Sequence, residues 1–457
     1  MDKNSSARTA AQQAAADGSG YDALWSSLHG IGRDAGSGGY RRFAWSAADL
    51  ACREWFEAQA ADRGLLVETD RNGNQWAAWE PDRDADPPAT TPPATTPLPA
   101  SPSTPTTPLP PPTAPLPDSG ALAIGSHLDS VPDGGAFDGP LGVISALAAI
   151  DLLRSRGWRP GRRIVVANFA DEEGSRFGVA CAGSRLMTGQ LTPDRARSLR
   201  DADGTRLADA MERAGRDPGL LGRDEERLGG ISEFVELHIE QGRRLVDEEV
   251  AVGVAAAIWP HGRWRFDFAG EANHAGTTAM DERRDPMLTY AHTVLSARKK
   301  AALAGALATF GRMHVEPNGT NAIPSRVCAW LDGRAPDEAM LNAVLDQITT
   351  VATERAQRDG TSVAVTNESF TARVDFDEPL RNRLHRLLGG APILPTGAGH
   401  DAGILAAEIP TAMLFVRNPT GLSHSPGEHA DAVDCLSGVA ALADVIADLA
   451  GGERGPV

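Results

Sequence analysis

Strand and helix patterns alternate through the middle of this chain, and this alternation limits the possible folds more than any other feature of the sequence. Residues 121–124 form a short apolar run, residues 143–153 have the pattern of a helix, and residues 163–169 have that of a fully buried strand. Residues 234–238 are a further strand candidate. Such alternation is typical of proteins in which helices cover both faces of a mostly parallel sheet. The sequence therefore predicts a doubly wound α/β domain with a mostly parallel sheet.

A second pattern begins at residue 263, where six residues alternate strictly between polar and apolar side chains (Arg, Trp, Arg, Phe, Asp, Phe). Strict alternation is typical of a half-buried antiparallel strand. The segments that follow are a helix at 285–304, strands at 308–314 and 326–331, a helix at 338–358 and a strand at 362–365. This βαββαβ order is that of the ferredoxin-like split unit. Because the first pattern resumes near residue 370, we predict a small α+β domain inserted into the α/β domain.

One segment can form neither a helix nor a central strand. Residues 87–117 consist almost entirely of Pro, Thr, Ala, Ser and Leu, and they contain 14 of the 32 prolines of the chain. Such a run offers almost no apolar surface to bury. It could be a linker between domains or a long surface loop within one domain. We favour the loop, because residues 73–79 before it and 122–124 after it have the patterns of neighbouring strands in one sheet.

The predicted boundaries follow from these patterns. Residues 1–20 are polar and rich in alanine and lack an apolar signal core, so we expect a disordered tail there. The other predicted divisions are the first part of the α/β domain at 21–257, which contains a disordered Pro-rich loop at 86–118, the inserted domain at 258–372 and the second part of the α/β domain at 373–457.

The charge of the chain argues against two classes of partner. There are 61 acidic and 44 basic residues, which gives a formal net charge of −17. An acidic surface repels phosphate backbones and anionic lipids, so we expect neither a nucleic-acid nor a membrane partner. The four cysteines are scattered and form no Cys-x-x-Cys pair. Together with the missing signal core, they predict a cytoplasmic protein with reduced thiols.

Clusters of His, Asp and Glu occur where predicted strands end. A lone His-x-Asp pair is more often a surface feature, and three adjacent acids are as often a solvated turn. Several such clusters at successive strand ends favour a metal site, because open α/β sheets bind ligands at the carboxyl ends of their strands. Cations would also cancel the repulsion among the carboxylates. The clusters are Gly-Ser-His-Leu-Asp at 125–129 with Asp138 nine residues on, Asp-Glu-Glu at 171–173, Glu-Leu-His-Ile-Glu-Gln-Gly at 236–242, and the loop 421–426.

Six motifs, taken in order, resemble those of the dinuclear amidohydrolases related to the M20 peptidases. Within that family, the chain resembles the ureido-acid branch, which comprises allantoate amidohydrolases, N-carbamoyl-L-amino-acid hydrolases and β-ureidopropionases. The resemblance covers roughly residues 21–449, apart from the Pro-rich run. The motifs are 127–138, 171–173, 236–241, Ala-Asn-His-Ala-Gly-Thr at 272–277, Gly-Ala-Gly-His-Asp at 397–401 and Ser-His-Ser-Pro at 423–426.

The resemblance implies two divalent cations in each subunit. His127, His238 and a bridging Asp138 would hold one of them, and Asp138, Glu173 and His424 would hold the other. Peptidase relatives usually carry an acidic ligand where this chain has His238, which argues against a dipeptidase or an aminoacylase. Carboxylates and imidazoles accept several metals, so Zn²⁺ and Mn²⁺ both remain open.

The other implied roles concern catalysis and substrate binding. Glu172 matches the general base, and Asp129 matches the residue that orients His127. His274 matches a histidine that reaches the active site of the neighbouring subunit and helps to stabilise the oxyanion. Arg334 matches the arginine that binds the substrate carboxylate, for which its planar guanidinium is well suited. The implied substrate-binding positions are Gln241, Asn321, Arg334 and His400.

The resemblance implies hydrolysis of a linear C–N bond in a small ureido acid. We take allantoate as the substrate, with release of ammonia and carbon dioxide, because residues 259–265 and 415–424 are similar to allantoate-type sequences. N-carbamoyl-L-amino-acid hydrolase and β-ureidopropionase remain alternatives, since their substrates also offer a carboxylate and a ureido carbonyl. A catalytically silent ureide-binding protein is the alternative from a different class, and Glu172 argues against it. The resemblance also implies a homodimer paired through the inserted domain, which would act as a lid.

Overall fold

A nine-stranded sheet and a four-stranded sheet dominate the described residues, 18–81 and 120–454, of the computed structural model. The strands are β1 (Leu66–Thr69), β2 (Gln75–Trp79), β3 (Ala121–His127), β4 (Trp158–Pro160), β5 (Ile164–Phe169), β6 (Ile231–Ile239), β7 (Val252–Ile258), β8 (His261–Ala269), β9 (Asn273–His274), β10 (Leu307–Glu316), β11 (Ala322–Ile323), β12 (Arg326–Arg334), β13 (Ser362–Thr371), β14 (Val374–Asp375), β15 (Ile393–Thr396), β16 (Thr411–Val416) and β17 (Gly452–Arg454).

Helices precede and follow most of these strands. They are α1 (Gly18–His29), α2 (Ala47–Asp62), α3 (Pro140–Ser155), α4 (Ala182–Thr188), α5 (Pro193–Ser198), α6 (Leu207–Arg213), α7 (Glu225–Gly229), α8 (Arg244–Asp247), α9 (Pro286–Ala304), α10 (Glu338–Asp359), α11 (Glu378–Leu387), α12 (Asp401–Leu405) and α13 (Ala432–Ala450). Of the predicted tail at 1–20, residues 1–17 lie outside the described residues, and α1 begins at Gly18. The predicted Pro-rich loop at 86–118 also lies outside them.

The nine-stranded sheet has the order β1-β2-β5-β3-β6-β16-β7-β14, with β15 paired to β7. The central strands β5, β3, β6 and β16 are parallel, whereas β1, β2 and β14 pair in antiparallel fashion near the two edges. All six residues of β5 are buried, as a strand covered on both faces requires. Burying one Val or Ile side chain contributes about 1.5–3 kcal/mol. The continuous apolar pattern at 163–169 therefore predicted a central strand correctly.

Helices cover both faces of this sheet. On β3, Leu122 and Ile124 pack into a core that includes residues of α3 and α13. The alternate residues Ala121 and Ala123 pack into a second core that includes Leu405 of α12. Each face of the same strand thus has its own apolar partner. The predicted doubly wound α/β class is confirmed.

The four-stranded sheet has the order β10-β12-β8-β13, and all its pairings are antiparallel. Trp264, Phe266 and Phe268 of β8 are buried in a core that includes residues of α9 and α10. The elements follow the predicted βαββαβ order, and β10 and β13 are longer than the sequence pattern indicated. The predicted domain boundaries at 258 and 372 fall at the end of β7 and between β13 and β14.

Parallel pairing brings several functional segments to one edge of the nine-stranded sheet. His127 is the last residue of β3, and the acidic turn 171–173 follows β5. His238 lies one residue before the end of β6, and the loop that carries His424 follows β16. Because the carboxyl ends of parallel strands share an edge, these segments converge. In the described part of the chain, no helix is both long enough and apolar enough to cross a membrane.

Candidate metal centre

Three side chains meet beyond the ends of β3 and β6. Nε2 of His238 lies 3.2 Å from Oδ1 of Asp138, and Nε2 of His127 lies 3.8 Å from the same oxygen. One ligand atom from each side chain lies within 4.8 Å of the other two. All three side chains are buried. This is the first of the two ligand groups that the resemblance implied.

The two histidine rings are oriented for ligation. Nδ1 of His127 lies 3.2 Å from the carbonyl oxygen of Asp129, and Nδ1 of His238 lies 2.9 Å from that of Ile239. A carbonyl oxygen only accepts hydrogen bonds, so Nδ1 carries the proton in each ring. Nε2 of each ring is buried and has no hydrogen-bond partner among the described residues. With Nδ1 bonded to a carbonyl oxygen, Nε2 is the nitrogen left to bind a metal, which is the arrangement of a metal-binding histidine.

A second group of three lies on the other side of Asp138. Nε2 of His424 is 3.4 Å from Oδ2 of Asp138 and 3.7 Å from Oε2 of Glu173. Ligand atoms of these three residues also lie within 4.8 Å of one another. Asp138 therefore offers one oxygen to each group, as a carboxylate that bridges two cations must. The histidine of this group is far less buried, since 53% of the His424 side chain is exposed.

Asp129 connects the first histidine to the acidic turn. Its Oδ1 lies 3.4 Å from Nδ1 of His127, and its two oxygens accept hydrogen bonds from the amides of Glu172 and Glu173 at 3.1 and 3.0 Å. Oε2 of Glu172 lies 3.7 Å from Nε2 of His127. The predicted base is thus held beside the first ligand group, and Asp129 fixes the backbone on which it stands.

The carboxyl groups of the turn are strongly perturbed. Burial raises the pKa of Glu172 well above its usual range, and Asp401 and Glu173 raise it further against the opposing effect of His127. Burial, followed by the charge of Asp138, raises the pKa of Glu173 to about 8. For Asp138, burial favours the neutral form, but its contacts with the histidines, above all with His238, lower its pKa below the usual range. This crowding of acids and free imidazole nitrogens fits divalent cations, which would neutralise the carboxylates.

Two of the predicted substrate-binding residues lie at this centre. Nε2 of Gln241 donates to Oδ2 of Asp138 at 3.0 Å and to Oγ of Ser423 at 3.0 Å. The ring of His400 is buried, with its centroid 4.5 Å from that of His238. Burial, together with the positive charge of His238, lowers the pKa of His400 well below its usual range. His400 is therefore a neutral imidazole that can donate or accept a hydrogen bond.

The other predicted residues belong to the segment of the four-stranded sheet and stand apart. Among the described residues, no hydrogen bond or ion pair joins His274, Asn321 or Arg334 to the two ligand groups. His274 is exposed, and its Nδ1 accepts a hydrogen bond from the amide of Gly276 at 3.0 Å. Asn321 is exposed as well. These residues are available for contacts outside their own chain or after a movement of this segment.

Arg334 contacts the segment that leads to His400. Its Nε and Nη2 contact the two carboxylate oxygens of Asp332 at 2.8 and 3.2 Å. Its Nη1 donates to the carbonyl oxygen of Gly397 at 2.5 Å, three residues before His400 in the chain. The guanidinium thus spans from β12 to the loop that leads into α12.

The comparisons with known proteins agree with this geometry. Residues 123–448 match the model of Peptidase family M20/M25/M40. The chain belongs to this family. The M20 family is metal-dependent, which agrees with the two ligand groups. The predicted resemblance is confirmed.

The curated relatives of this M20 chain include enzymes of the predicted branch. It is 39% identical over 352 residues to an N-carbamoyl-L-amino acid amidohydrolase of Geobacillus stearothermophilus. This match covers 74% of the chain and 83% of the relative. It is 34% identical over 337 residues to an allantoate amidohydrolase of Escherichia coli, and this match covers 71% of the chain and 80% of the relative. The predicted enzyme class, a hydrolase of C–N bonds, is confirmed.

A solved structure supports the same assignment to the M20 fold. The crystal structure of an amidase of the hydantoinase/carbamoylase family from Burkholderia multivorans matches with a TM-score of 0.75 at 28% sequence identity. The match covers 96% of this chain and 98% of the amidase.

The structure of this M20 chain adds three buried acids to which the sequence had given no role. Glu236 accepts hydrogen bonds from Oγ of Ser126 at 2.7 Å and from the amide of Ala402 at 3.1 Å. Its carboxylate also lies within 4.8 Å of His238 and His400, but both of its oxygens are already bonded. It therefore ties β3 to α12, the helix that His400 caps.

Asp401 and Glu428 are the other two acids. Oγ of Ser184 donates to Oδ1 of Asp401 at 2.5 Å, and Glu428 accepts the amides of Phe137 and Asp138. Their partners are 217 and about 290 residues away in sequence, so no local pattern could have revealed either contact.

Gly403 of α12 lies close against the end of β7. A Cβ atom at Gly403 would lie 2.4 Å from Cδ1 of Ile258. A larger residue would therefore clash with the end of β7 unless that side chain moved.

Proposed function

We propose that this M20 enzyme hydrolyses the ureido C–N bond of a small ureido acid, with allantoate as its substrate, and that it uses two divalent cations per subunit. The observation that carries the proposal is the pair of ligand groups that share Asp138, with Glu172 beside them. The two cations would be held by His127, His238, Asp138, Glu173 and His424. When bound, such cations lower the pKa of a water molecule and polarise a carbonyl oxygen.

Glu172 would act as the general base. It is buried, its backbone is held by Asp129, and its carboxylate lies 3.7 Å from Nε2 of His127, beside the proposed cations. In hydrolysis it would take a proton from the attacking water and return it to the departing nitrogen. A protein that only binds ureides would have no use for a base at this position, which favours an enzyme.

The substrate carboxylate would be bound by Arg334. Asp332 occupies the side of the guanidinium formed by Nε and Nη2, so one N–H on each terminal nitrogen remains to bind an anion. A local cation is needed because the chain as a whole carries a net charge of −17. Gln241, His400 and Asn321 would contact the rest of the substrate. Asn321 would require the four-stranded sheet to close over the site.

His274 would complete the site of a neighbouring subunit in a homodimer paired through the four-stranded sheet. The exposure of the His274 side chain and its separation from its own chain's ligand groups support this proposal. An exposed apolar stripe on α9 further supports it, with Leu288 45%, Leu295 69% and Leu303 77% exposed. The edge strand β10 next to it also exposes Leu307 and Met313. An edge strand beside exposed leucines is suited to pairing with a second copy.

The test of the substrate is ammonia release from the metal-reconstituted enzyme, with kcat/KM compared for allantoate, N-carbamoyl-L-amino acids and N-carbamoyl-β-alanine. We expect allantoate to be preferred by about tenfold or more. N-carbamoyl-L-amino acids are the second candidate, because the Geobacillus relative is the more similar of the two enzymes at 39% against 34% identity. A preference for them would change the substrate and keep the residue roles. No turnover of any of the three by protein with two bound cations would contradict the proposal.

A further inference from the structure

Glu428 lies between the two loops that carry ligands of the second group. It follows His424 by four residues in one loop, where its amide donates to the carbonyl oxygen of Ser425 at 3.0 Å. Its Oε1 accepts hydrogen bonds from the amides of Phe137 and Asp138 in the other loop, at 3.0 and 2.9 Å. The side chain is only 5% exposed. One buried carboxylate oxygen therefore joins the backbone at Asp138 to the loop of His424.

We propose that Glu428 is a positioning residue that holds Asp138 within reach of His424 and so completes the second of the two cation sites. This inference rests on the proposed function, since it assumes that Asp138 bridges two cations. Glu428 belongs to neither ligand group. It would act through the backbone of Asp138.

The two ligand groups differ in what holds them in place, and this difference carries the inference. His127 and His238 stand on β3 and β6, whose pairing in the centre of the sheet fixes their distance without any help from Glu428. In contrast, His424 stands on a loop, and its backbone has the left-handed φ of +53°. Two of the three ligands of the first group therefore have a rigid frame of their own, and only Asp138 in that group stands on a loop. In the second group, both His424 and Asp138 stand on loops, so this group depends more on how the two loops are joined.

Other contacts at Asp138 act on a different part of the residue. Gln241 and Ser423 donate to Oδ2 of Asp138 at 3.0 and 3.3 Å, so they orient its carboxylate. Glu428 instead holds the backbone from which the side chain starts. The loop is closely packed around it, because a Cβ atom at Gly135 would lie 2.3 Å from Oε1 of Glu428. Removing Glu428 would leave two buried amides without an acceptor and let this loop shift.

The experiment is a calorimetric titration of the chelated, full-length protein with Mn²⁺ or Zn²⁺, which reads cation binding without reference to activity. We expect two cations for the wild type. In Glu428→Ala, the first cation keeps His127 and His238 and should bind within about threefold of the wild type, whereas the affinity for the second should fall about 10–100-fold, as is usual when a residue that supports a ligand is lost. Glu428→Gln keeps an acceptor oxygen for both amides, so it should restore the second site to within about threefold of the wild type.

A matched control tests whether the effect is specific to this position. Oδ1 of Asp70 also accepts two backbone amides, those of Asn72 and Asn74 at 2.8 and 2.9 Å, and this residue is likewise buried. Asp70→Ala should lower the melting temperature and leave two cation sites. If Glu428→Ala fails to fold, Glu428→Met takes its place, because Met fills the same space and offers no oxygen acceptor.

Three outcomes would overturn the inference. Two unchanged sites in Glu428→Ala or Glu428→Met would show that the carboxylate is not needed. An equal loss in Glu428→Gln would show that the charge of the residue matters rather than its acceptor oxygen. A wild-type protein that binds one cation would overturn both this inference and the proposed two-cation function, whereas the first two outcomes would leave that function standing.

Discussion

At the carboxyl edge of the nine-stranded sheet, the candidate site residues lie close together, and all of them except His424 are buried or half-buried. In the segment of the four-stranded sheet, His274 and Asn321 are exposed and lie apart from this site. His127 and His238 both lie within 4 Å of one oxygen of Asp138. His274 and Asn321, by contrast, are exposed, and their only hydrogen bonds among the described residues are to neighbours in their own segment.

The packing of the two sheets explains this difference. The central strands of the large sheet are parallel and covered on both faces, so their carboxyl ends are rigid and share an edge. The four-stranded sheet is covered by α9 and α10 on one face only, and residues along β8 alternate between buried and more exposed positions. The rigid carboxyl edge of the nine-stranded sheet is suited to ligands that must hold cations in fixed positions. The four-stranded sheet is suited to residues that must reach a substrate or a second subunit.

The largest expected effect is at the base on the large sheet. Glu172→Gln should lower kcat roughly 10²–10⁴-fold, because the amide cannot accept the proton from water. Both cations should still bind, since Glu172 belongs to neither ligand group. Steady-state kinetics and metal analysis of the same preparation check this. Glu173→Gln is the matched control, and it should lose a cation as well as activity. Normal turnover by Glu172→Gln would refute the proposed mechanism.

The second prediction concerns the exposed residues of the four-stranded sheet. Leu295→Glu on α9 should convert the dimer to a monomer, because a charge would be buried in the proposed interface. It should then lower kcat to the level of His274→Ala, about 10²–10³-fold below the wild type, which is the usual cost of losing one donor to the oxyanion. Analytical ultracentrifugation and activity assays measure the two effects.

The control for this prediction is Leu66→Glu on β1, where the side chain is 59% exposed. This variant should keep both the dimer and its activity, because Leu66 lies on the other sheet. If Leu295→Glu were a fully active monomer, His274 could not have the proposed role. The site of one subunit would then not need a residue from the other.

A smaller loss is expected at Arg334, whose hydrogen bond to Gly397 joins the two regions. Arg334→Ala should lower kcat/KM about 10–100-fold for a substrate with a carboxylate, mainly through a higher KM. Arg334→Lys should recover little of this, because an ammonium lacks the planar fork. Arg263, whose side chain is 62% exposed on the same sheet, provides the control Arg263→Ala. If both alanine variants lost the same amount of kcat/KM, the loss would come from removing a positive charge near the site and not from a specific contact of Arg334 with the substrate.

The comparison also shows where the sequence sufficed. The apolar pattern of β5 and the acidic turn after it placed Glu172 and Glu173 at a strand end, because a parallel sheet brings such ends together. The sequence could not reveal Glu428 or Asp401. Each is bonded to a residue more than two hundred positions away, and such a contact depends on how loops pack, which has no local period.

The engagement of Arg334 with Asp332 was missed for a different reason. Two residues apart on β12, these side chains lie on the same side of the strand, so the spacing was visible in the sequence. The family resemblance implies a substrate role for Arg334 and says nothing of Asp332. Only the structure shows that Arg334 also donates to the carbonyl oxygen of Gly397, which belongs to the segment of the nine-stranded sheet.

The smallest effect concerns the stability of the metal-free centre, and it would sharpen the contrast between the regions. Burial, followed by Asp138, raises the pKa of Glu173 from an ordinary value of 4.5 to about 8 in the folded chain. Between these values the folded state binds more protons than the unfolded state, so the free energy of unfolding must fall as the pH rises. His127 and His238 act in the same direction above pH 6.5, since nearby carboxylates raise their pKa values despite burial. His400 acts in the opposite direction, because burial lowers its pKa.

We therefore expect the chelated protein to unfold at a lower denaturant concentration at pH 8 than at pH 6. Protein loaded with cations should show little of this loss, because bound cations displace the protons from the same ligands and bind better as the pH rises. Glu173→Gln removes one of these titrating groups and should make the profile of the chelated protein less steep. If the chelated wild type were more stable at pH 8 than at pH 6, the carboxylates at the sheet edge would not be crowded in the way this fold requires. The contrast between the centre and the exposed residues His274 and Asn321 would then rest on packing alone.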